Sequence, residues 1–411
     1  MTPAITDARL AQTATHRAES LFAADYAGGL DRIRQQLSGA RALVIGGAGS
    51  IGSSVVRQLC QLEMAALHVV DQSENSLVEL TRDLRNSGQR LAPADLQWLP
   101  LDFGSPVMQR FLASTKPYDF VLNFAAIKHV RSEKDVTSVL HMLDVNVLSQ
   151  HRLLGWIHAS NPQARYFSVS TDKAANPVNL MGASKRLMEH VMFAGAAGGS
   201  TPLRATSARF ANVAFSDGSL LQGWLQRLAK GQPLAVPRST RRFFVSLEEA
   251  GQLCVLAALC QADRQILVPR LSPEADLHDL EHVAEAFLRL QGFESARYTD
   301  AARAIADVSK EKAAGRYPLL VTPLDTSGEK PYEEFVGSNE TSVEVGLPNL
   351  LAVQYRSLER PAVLSALLGT LATLIADVTR PVSKQDLVDL VGGVVEEFAH
   401  VETGKRLDDR V

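Results

Sequence analysis

Ala42-Leu43-Val44-Ile45-Gly46-Gly47-Ala48-Gly49-Ser50-Ile51-Gly52 is the stretch on which the reading of this 411-residue chain turns. Four apolar residues in succession suit a strand buried on both faces. The glycines that end it fall at 46, 49 and 52, a GxxGxxG spacing. The first permits a tight turn, the second lets main chain approach a pyrophosphate, and the third lets a helix pack closely on the strand. That helix, predicted over Ile51–Leu62, presents amide donors and a positive dipole end. Gly46, Gly49, Ser50, Ile51 and Gly52 are therefore candidate phosphate-cradling residues, weighed against an ordinary glycine turn.

Working outward, continuous apolar or β-rich runs recur at Leu67–Val70, Leu96–Leu101, Asp119–Phe124 and Arg165–Val169, with helical patterns such as Glu74–Leu84 between them. Strand and helix alternating in this way predict an α/β fold, a Rossmann-type doubly wound parallel sheet, over residues 39–215. The second run leads into Asp71, close to the ~20-residue distance at which a carboxylate accepts hydrogen bonds from an adenosine ribose. A carboxylate there repels a 2′-phosphate, which favours NAD and leaves NADP as the second choice. Asp102 and Phe103 follow the third run and would border the adenine; an Asp after a strand is also a common helix cap.

Residues 1–38 read as a helical N-terminal extension. Residues 216–345 read as a smaller α/β substrate-binding region, with helices over Gly218–Lys230, Leu247–Leu259 and Asp279–Leu290 and strands over Arg242–Val245, Ile266–Val268 and Tyr317–Val321. Residues 346–411 read as a wholly helical C-terminal extension. Lys+Arg total 42 against 45 Asp+Glu, a net charge of −3, which argues against a nucleic-acid binder working through a basic field. Three cysteines without a CxxC pair suit a reducing, cytoplasmic setting and exclude a disulfide scaffold. His129 and His141 lack acids at ligand spacing, so no metal is expected. The first residues, with Asp7, Glu19, Asp25 and Asp31, lack a signal-peptide core. Ala362–Ala376 is interrupted by Ser365, Thr370 and Thr373 and is shorter than the ~20 residues of a spanning helix. It is read as a packing helix opened by Pro361, and no membrane span is expected.

The chemistry is expected after the fifth run, where Ser170-Thr171-Asp172-Lys173 places a hydroxyl, a carboxylate and an ammonium at the carboxyl end of a strand. The plain alternative is a polar loop with Asp172 paired to Lys173. Lys185 lies on the next predicted helix, near the nicotinamide end of such a cleft, where it would hold a ribose and lower a neighbouring pKa.

Gly46–Gly52, Asn123–Val130 (NFAAIKHV), Ser170–Lys185 (STDKAANPVNLMGASK), Arg209–Leu220, Thr240–Ser246 and Gly328-Glu329-Lys330 together resemble nucleotide-sugar 4,6-dehydratases. These belong to the extended short-chain dehydrogenase/reductase family, and the likeness is greatest to the polysaccharide-biosynthesis branch acting on UDP-N-acetylglucosamine. The resemblance spans about Ala40 to Phe335. It implies a tightly bound, recycled NAD, with Ala125 beside it. Carbon 4 of the sugar is oxidised, water leaves carbon 6, and carbon 6 is then reduced. By position, Asp172 would be the acid for the leaving hydroxyl, Lys173 the base at carbon 5, and Thr171 the partner of the carbon-4 oxygen. Lys128 would reach sugar or cofactor, and Asn212 and Arg242 the diphosphate. Glu329 would reach the nucleoside, and Asn146 would brace the helix behind the active strand.

One position departs from the wider family: Met181 stands where a Tyr usually precedes the motif Lys by four residues. A thioether does no acid–base work, so the group that deprotonates the carbon-4 hydroxyl is left open between Thr171 relaying to Asp172 and a bound water. A 4-epimerase or oxidoreductase on the same scaffold is the alternative reading, and a non-catalytic nucleotide-sugar-binding protein a third. Similar enzymes pair subunits through helices corresponding to Thr137–Trp156 and Gly182–Phe193. A homodimer or higher homo-oligomer is therefore expected, with the tail helices extending the contact.

Overall fold

A computed structural model of the chain describes residues 6–88, 90–128, 133–194, 203–323, 332 and 334–401. Its centre is a nine-stranded sheet. In spatial order the strands are Ser342–Glu344, Leu350–Gln354, Gln265–Pro269, Arg204–Ala208, Arg165–Val169, Phe120–Asn123, Arg41–Ile45, Ala66–Asp71 and Leu96–Pro100. The last seven of these run parallel. Ala42–Ile45 and Phe120–Asn123 are buried throughout, as strands covered by helices on both faces must be. The chain enters at Arg41–Ile45, winds outward to Leu96–Pro100, then crosses back to Phe120–Asn123. The strand order reverses between those inner two, and ligands of open α/β sheets bind outside such a reversal.

Two three-stranded sheets flank the carboxyl ends. One joins Leu277–Asp279, Arg241–Val245 and Asn212–Val213; the other joins Glu294–Tyr298, Arg316–Thr322 and Leu234–Pro237. Apart from Asn212–Val213, their strands lie within residues 216–345, the region expected to bind substrate. Gln265–Pro269 and Ser342–Glu344, from the same region of sequence, join the central sheet instead.

The expectation of a wholly helical tail is corrected at its start. Leu350–Gln354 is a strand, antiparallel to Gln265–Pro269, with Leu350, Ala352 and Val353 fully buried. Beyond it, helices Pro361–Ala376 and Lys384–Gly392 pack on helix Leu180–Ala194. Leu364, Leu367, Leu371 and Leu387 share one apolar cluster with Leu180, Leu187 and Val191. Every residue from Leu180 to Phe193 is buried, so the helix expected to face a second subunit is covered within the chain itself, by residues 136–160, the 172–174 turn and the tail helices together.

The N-terminal extension forms helices Asp7–Thr15 and Ala23–Leu37. Arg17 fastens it, donating to Glu249 (2.9 Å) and to the Phe244 carbonyl (2.8 Å). Among the described residues no helix is long and apolar enough to cross a membrane, and no group of His, Cys, Asp and Glu could hold a metal ion.

Candidate active site

A cleft of about 1380 Å³ opens where the strand order reverses, between the central sheet and the two small ones. Gly46, Gly49, Ser50, Ile51, Gly52, Asp71, Asp102, Phe103 and Ala125 line one part of it. Lys128, Thr171, Asp172, Lys173, Met181, Lys185 and Asn212 line the rest.

The glycine turn is built by close approach. Gly46 has φ +69°, and a Cβ there would lie 2.6 Å from the Ala125 nitrogen. A Cβ on Gly52 would collide with the Gly46 carbonyl and come 2.9 Å from Gly47 Cα. A Cβ on Gly49 would meet only the Gly46 oxygen, at 3.5 Å. The first and third glycines are thus demanded by the chain's own packing, while the second keeps a face open. Asp71 accepts from Ala48 N (3.0 Å) and Ser73 N (2.9 Å), which ties the second strand to the turn. Asp102 accepts from Gly104 N (2.9 Å). Ser50 donates to Asp217 (2.7 Å), bridging the helix start to the opposite wall.

The polar loop leaves strand Arg165–Val169 and turns through a short 3-10 helix, Asp172–Ala174. Asp172 Oδ1 accepts from Thr171 Oγ1 (2.7 Å), Lys173 N (2.9 Å) and Lys173 Nζ (3.2 Å). Among the described residues Asp172 Oδ2 is buried without a hydrogen-bond partner. A buried carboxylate oxygen without a partner is costly, so its presence at a cleft wall marks a place where a ligand or a proton belongs. Lys185 Nζ donates to the Val169 carbonyl (2.6 Å); burial lowers its pKa to about 8, and Glu189 acts in the opposite sense. Lys128 is likewise lowered by desolvation, with Asp217 opposing. Met181 is buried, and its amide donates to Glu133 (2.9 Å). Asn146 is no surface residue: it exchanges two 2.9 Å hydrogen bonds with the Ile127 main chain and donates to Ser184 (2.9 Å), bracing the Lys128 segment.

Arg242 is not among the described residues that line the cleft. It lies on strand Arg241–Val245 and donates to the Arg241 carbonyl (2.9 Å). Among the cations that do line the cleft are Arg227 and Lys230, at the end of helix Leu220–Ala229. Their spacing on a helix after the Arg209–Leu220 motif was the available signal. Glu329 and His129 lie outside the described residues. Trp224, Phe243 and Phe244 are core. Sequence reasoning also missed Glu189 and Arg209, which lie behind the polar loop.

The glycine cradle fits a dinucleotide held along the first part of the cleft. Gly46, Gly49 and Gly52 would make the close approach, Ser50 and Ile51 supply helix-terminal amides, and Asp71 would face a ribose.

A family model described as polysaccharide biosynthesis protein matches residues 42–355. An uncharacterized membrane protein of Methanocaldococcus jannaschii is 28% identical, over 72% of this chain and 80% of its own length. The probable polysaccharide biosynthesis protein EpsC of Bacillus subtilis is 26% identical over 77% of this chain; the match spans about half of that relative, 48%. At 24% identity come a UDP-N-acetylglucosamine 4,6-dehydratase (inverting) of Campylobacter jejuni, over 60% of this chain and 71% of its own, and a UDP-glucose 4-epimerase of Rickettsia massiliae, over 72% and 78%. A solved dTDP-glucose 4,6-dehydratase from Streptomyces venezuelae shares the fold, with a TM-score of 0.53 and 18% identity over 82% of this chain and 97% of that one.

Proposed function

The chain belongs to the polysaccharide biosynthesis protein family, and on that premise we propose that it is an NAD-dependent nucleotide-sugar 4,6-dehydratase, with UDP-N-acetylglucosamine as its substrate. The observation that carries this reading is Asp172. One of its oxygens is buried and unpartnered in the cleft, and the other is held by Thr171 and Lys173. Simple oxidation or epimerisation at carbon 4 needs no adjacent acid and base; elimination needs both.

Bound NAD would supply a hydride acceptor and donor, so that carbon 4 is oxidised and carbon 6 reduced without an external oxidant. The chain's residues move the protons. Thr171 Oγ1 takes the carbon-4 hydroxyl proton as it passes its own to Asp172, the role the wider family gives to a Tyr where this chain has Met181. With a carbonyl at carbon 4, the carbon-5 proton becomes acidic, and uncharged Lys173 Nζ accepts it. Asp172 then gives its proton to the carbon-6 hydroxyl, which leaves as water. Lys173 finally returns its proton to carbon 5, so both residues end as they began. To act as the base Lys173 must be uncharged, which desolvation by bound substrate or a nearby positive charge, with Lys185 one source, would favour. Arg227 and Lys230, with Asn212, fit the diphosphate in place of Arg242, a guanidinium offering paired donors to its oxygens. Activity in the cytoplasm as a homo-oligomer completes the reading, with pairing through faces other than the covered helix Leu180–Ala194.

The test is incubation of purified protein with UDP-N-acetylglucosamine, without added cofactor, followed by mass spectrometry. Loss of one water with no net NADH supports the proposal. An isomer of unchanged mass would replace it with 4-epimerisation.

A further inference from the structure

We propose that Glu189 is a positioning residue for this chemistry: it holds Ser170, and with it the Thr171–Asp172–Lys173 loop, and the C-terminal tail completes the hold through Glu397. Glu189 is fully buried at the middle of helix Leu180–Ala194. Its Oε1 accepts from Ser170 Oγ (2.6 Å) and Arg209 Nε (2.8 Å), and its Oε2 from Arg209 Nη2 (2.6 Å) and Arg186 Nη1 (3.0 Å). Arg209, also fully buried, reaches Glu340 (2.5 and 2.9 Å) and the Phe335 carbonyl (3.1 Å). Arg186 reaches Glu340 (2.7 Å) and Glu397 of the tail (2.7 Å). Two guanidinium groups and three carboxylates thus share one nearly dry cluster.

Such a cluster is a poor way to make a core stable, because desolvation of the charges offsets most of their attraction. Its placement gives it another use. Ser170 immediately precedes the acid–base residues and lines the cleft. Lys185, one turn before Glu189 on the same helix face, donates to Val169 O. Two side chains four residues apart therefore grip two consecutive residues of the strand end. The outer side of the loop is held as well. Asn176 donates to Glu334 (2.8 Å) and accepts from Ser338 N (3.0 Å). Ala399 N and Val401 N donate to the Pro177 and Val178 carbonyls (3.0 Å each).

The cluster also acts on charge. Burial alone would raise the Glu189 pKa, but Arg209 and Arg186 bring it down to about 2, so it is ionised throughout the working range. The charge that acts on Lys185 is Glu189, one turn along its own helix, which opposes the effect of burial; behind Glu189 stand Arg186, Arg209 and Glu340. Removing the Glu189 charge takes away the one charge that opposes the effect of burial on Lys185, so Lys185 must lose its proton more readily.

The inference rests on the proposed dehydratase reading for its kinetic readout and on Lys185 itself for a readout that needs no substrate. Glu189→Gln keeps an acceptor for Ser170 but removes the charge. In the full-length holoprotein, kcat should fall about 10- to 100-fold, as for a misplaced catalytic group, while KM stays within about threefold and bound NAD is retained. The alkaline limb of kcat, and the Lys185 13Cε titration in lysine-labelled protein assigned with Lys185→Arg, should both move at least about half a pH unit to lower pH. Ser170→Ala keeps the charge cluster and should lower kcat without lowering Tm; it also decides the matter if Glu189→Gln does not fold. An unmoved Lys185 titration in Glu189→Gln, or unchanged kcat in Ser170→Ala, overturns the proposal. If wild-type protein does not dehydrate UDP-N-acetylglucosamine, the reaction assignment fails, and the Lys185 titration still decides the role of Glu189.

Discussion

Replacing the second and third glycines of the turn should separate folding from cofactor binding. Gly52 is in the first turn of helix Ser50–Leu59, where alanine would ordinarily gain ~1 kcal/mol in helix propensity. A methyl there meets main-chain atoms of Gly46 and Gly47, with no flexible side chain to yield. Helix and strand must separate, and overpacking of this kind costs roughly 1–3 kcal/mol or more. With main chain as the obstacle, the upper end applies, so Gly52→Ala should lose about 2 kcal/mol net after the propensity gain. Gly49 is the N-cap at φ −71°, ψ 167°, a conformation any residue adopts, and its methyl would make ordinary contact. Gly49→Ala should therefore cost only ~0.5 kcal/mol of folding, yet weaken NAD by at least ~10-fold, since the methyl faces the cradle. Urea denaturation gives the first quantity and NAD titration of cofactor-stripped protein the second. Gly52→Ala with wild-type stability, or Gly49→Ala with wild-type affinity, would refute the assignment of the two glycines.

Lys173→Ala should abolish water loss while NAD stays bound, measured by product mass and by cofactor released on denaturation; undiminished turnover removes Lys173 as the base. Leu371→Ala, in the tail helix and fully buried, should destabilise by about 2–5 kcal/mol and speed hydrogen exchange in helix Leu180–Ala194. Glu189 and Glu340 are both held below the ordinary carboxylate range, against the effect of burial, chiefly by Arg209. Their contribution is therefore complete above the unfolded value of ~4.5 and is lost as pH falls toward their folded values. The urea midpoint should decline below pH 4.5, and less steeply in Glu340→Gln.

The parallel sheet was legible because buried strands leave long apolar runs: Arg165–Val169 was read to the residue, and Ala42–Ile45 and Leu67–Val70 to within one residue at each end. Leu350–Gln354 was not, since a short apolar run beside helical sequence has no periodicity to separate strand from buried helix. The glycine cradle and the Thr171–Lys173 loop are contiguous in sequence, so local spacing was enough to find them. Arg242 and Arg227 could not be ranked in that way, because only the crossing of separate elements decides which guanidinium faces the cleft. Glu189 and Arg209 are 20 residues apart, and a charge within a helix ordinarily reads as solvated. Only the burial of the whole helix, against residues 136–160 and the 172–174 turn and, beyond residue 360, the tail helices, gives them their meaning.

Because the cover over helix Leu180–Ala194 is covalently attached, it is present at an effective concentration that no dilution alters. Specific activity should therefore be flat as protein is diluted to nanomolar levels, whatever assembly other faces support. Order of synthesis matters for the same reason. The glycine turn can fold early on the ribosome, but the Thr171–Lys173 loop waits for Glu397, Ala399 and Val401, far downstream in sequence, to emerge before its hold is complete.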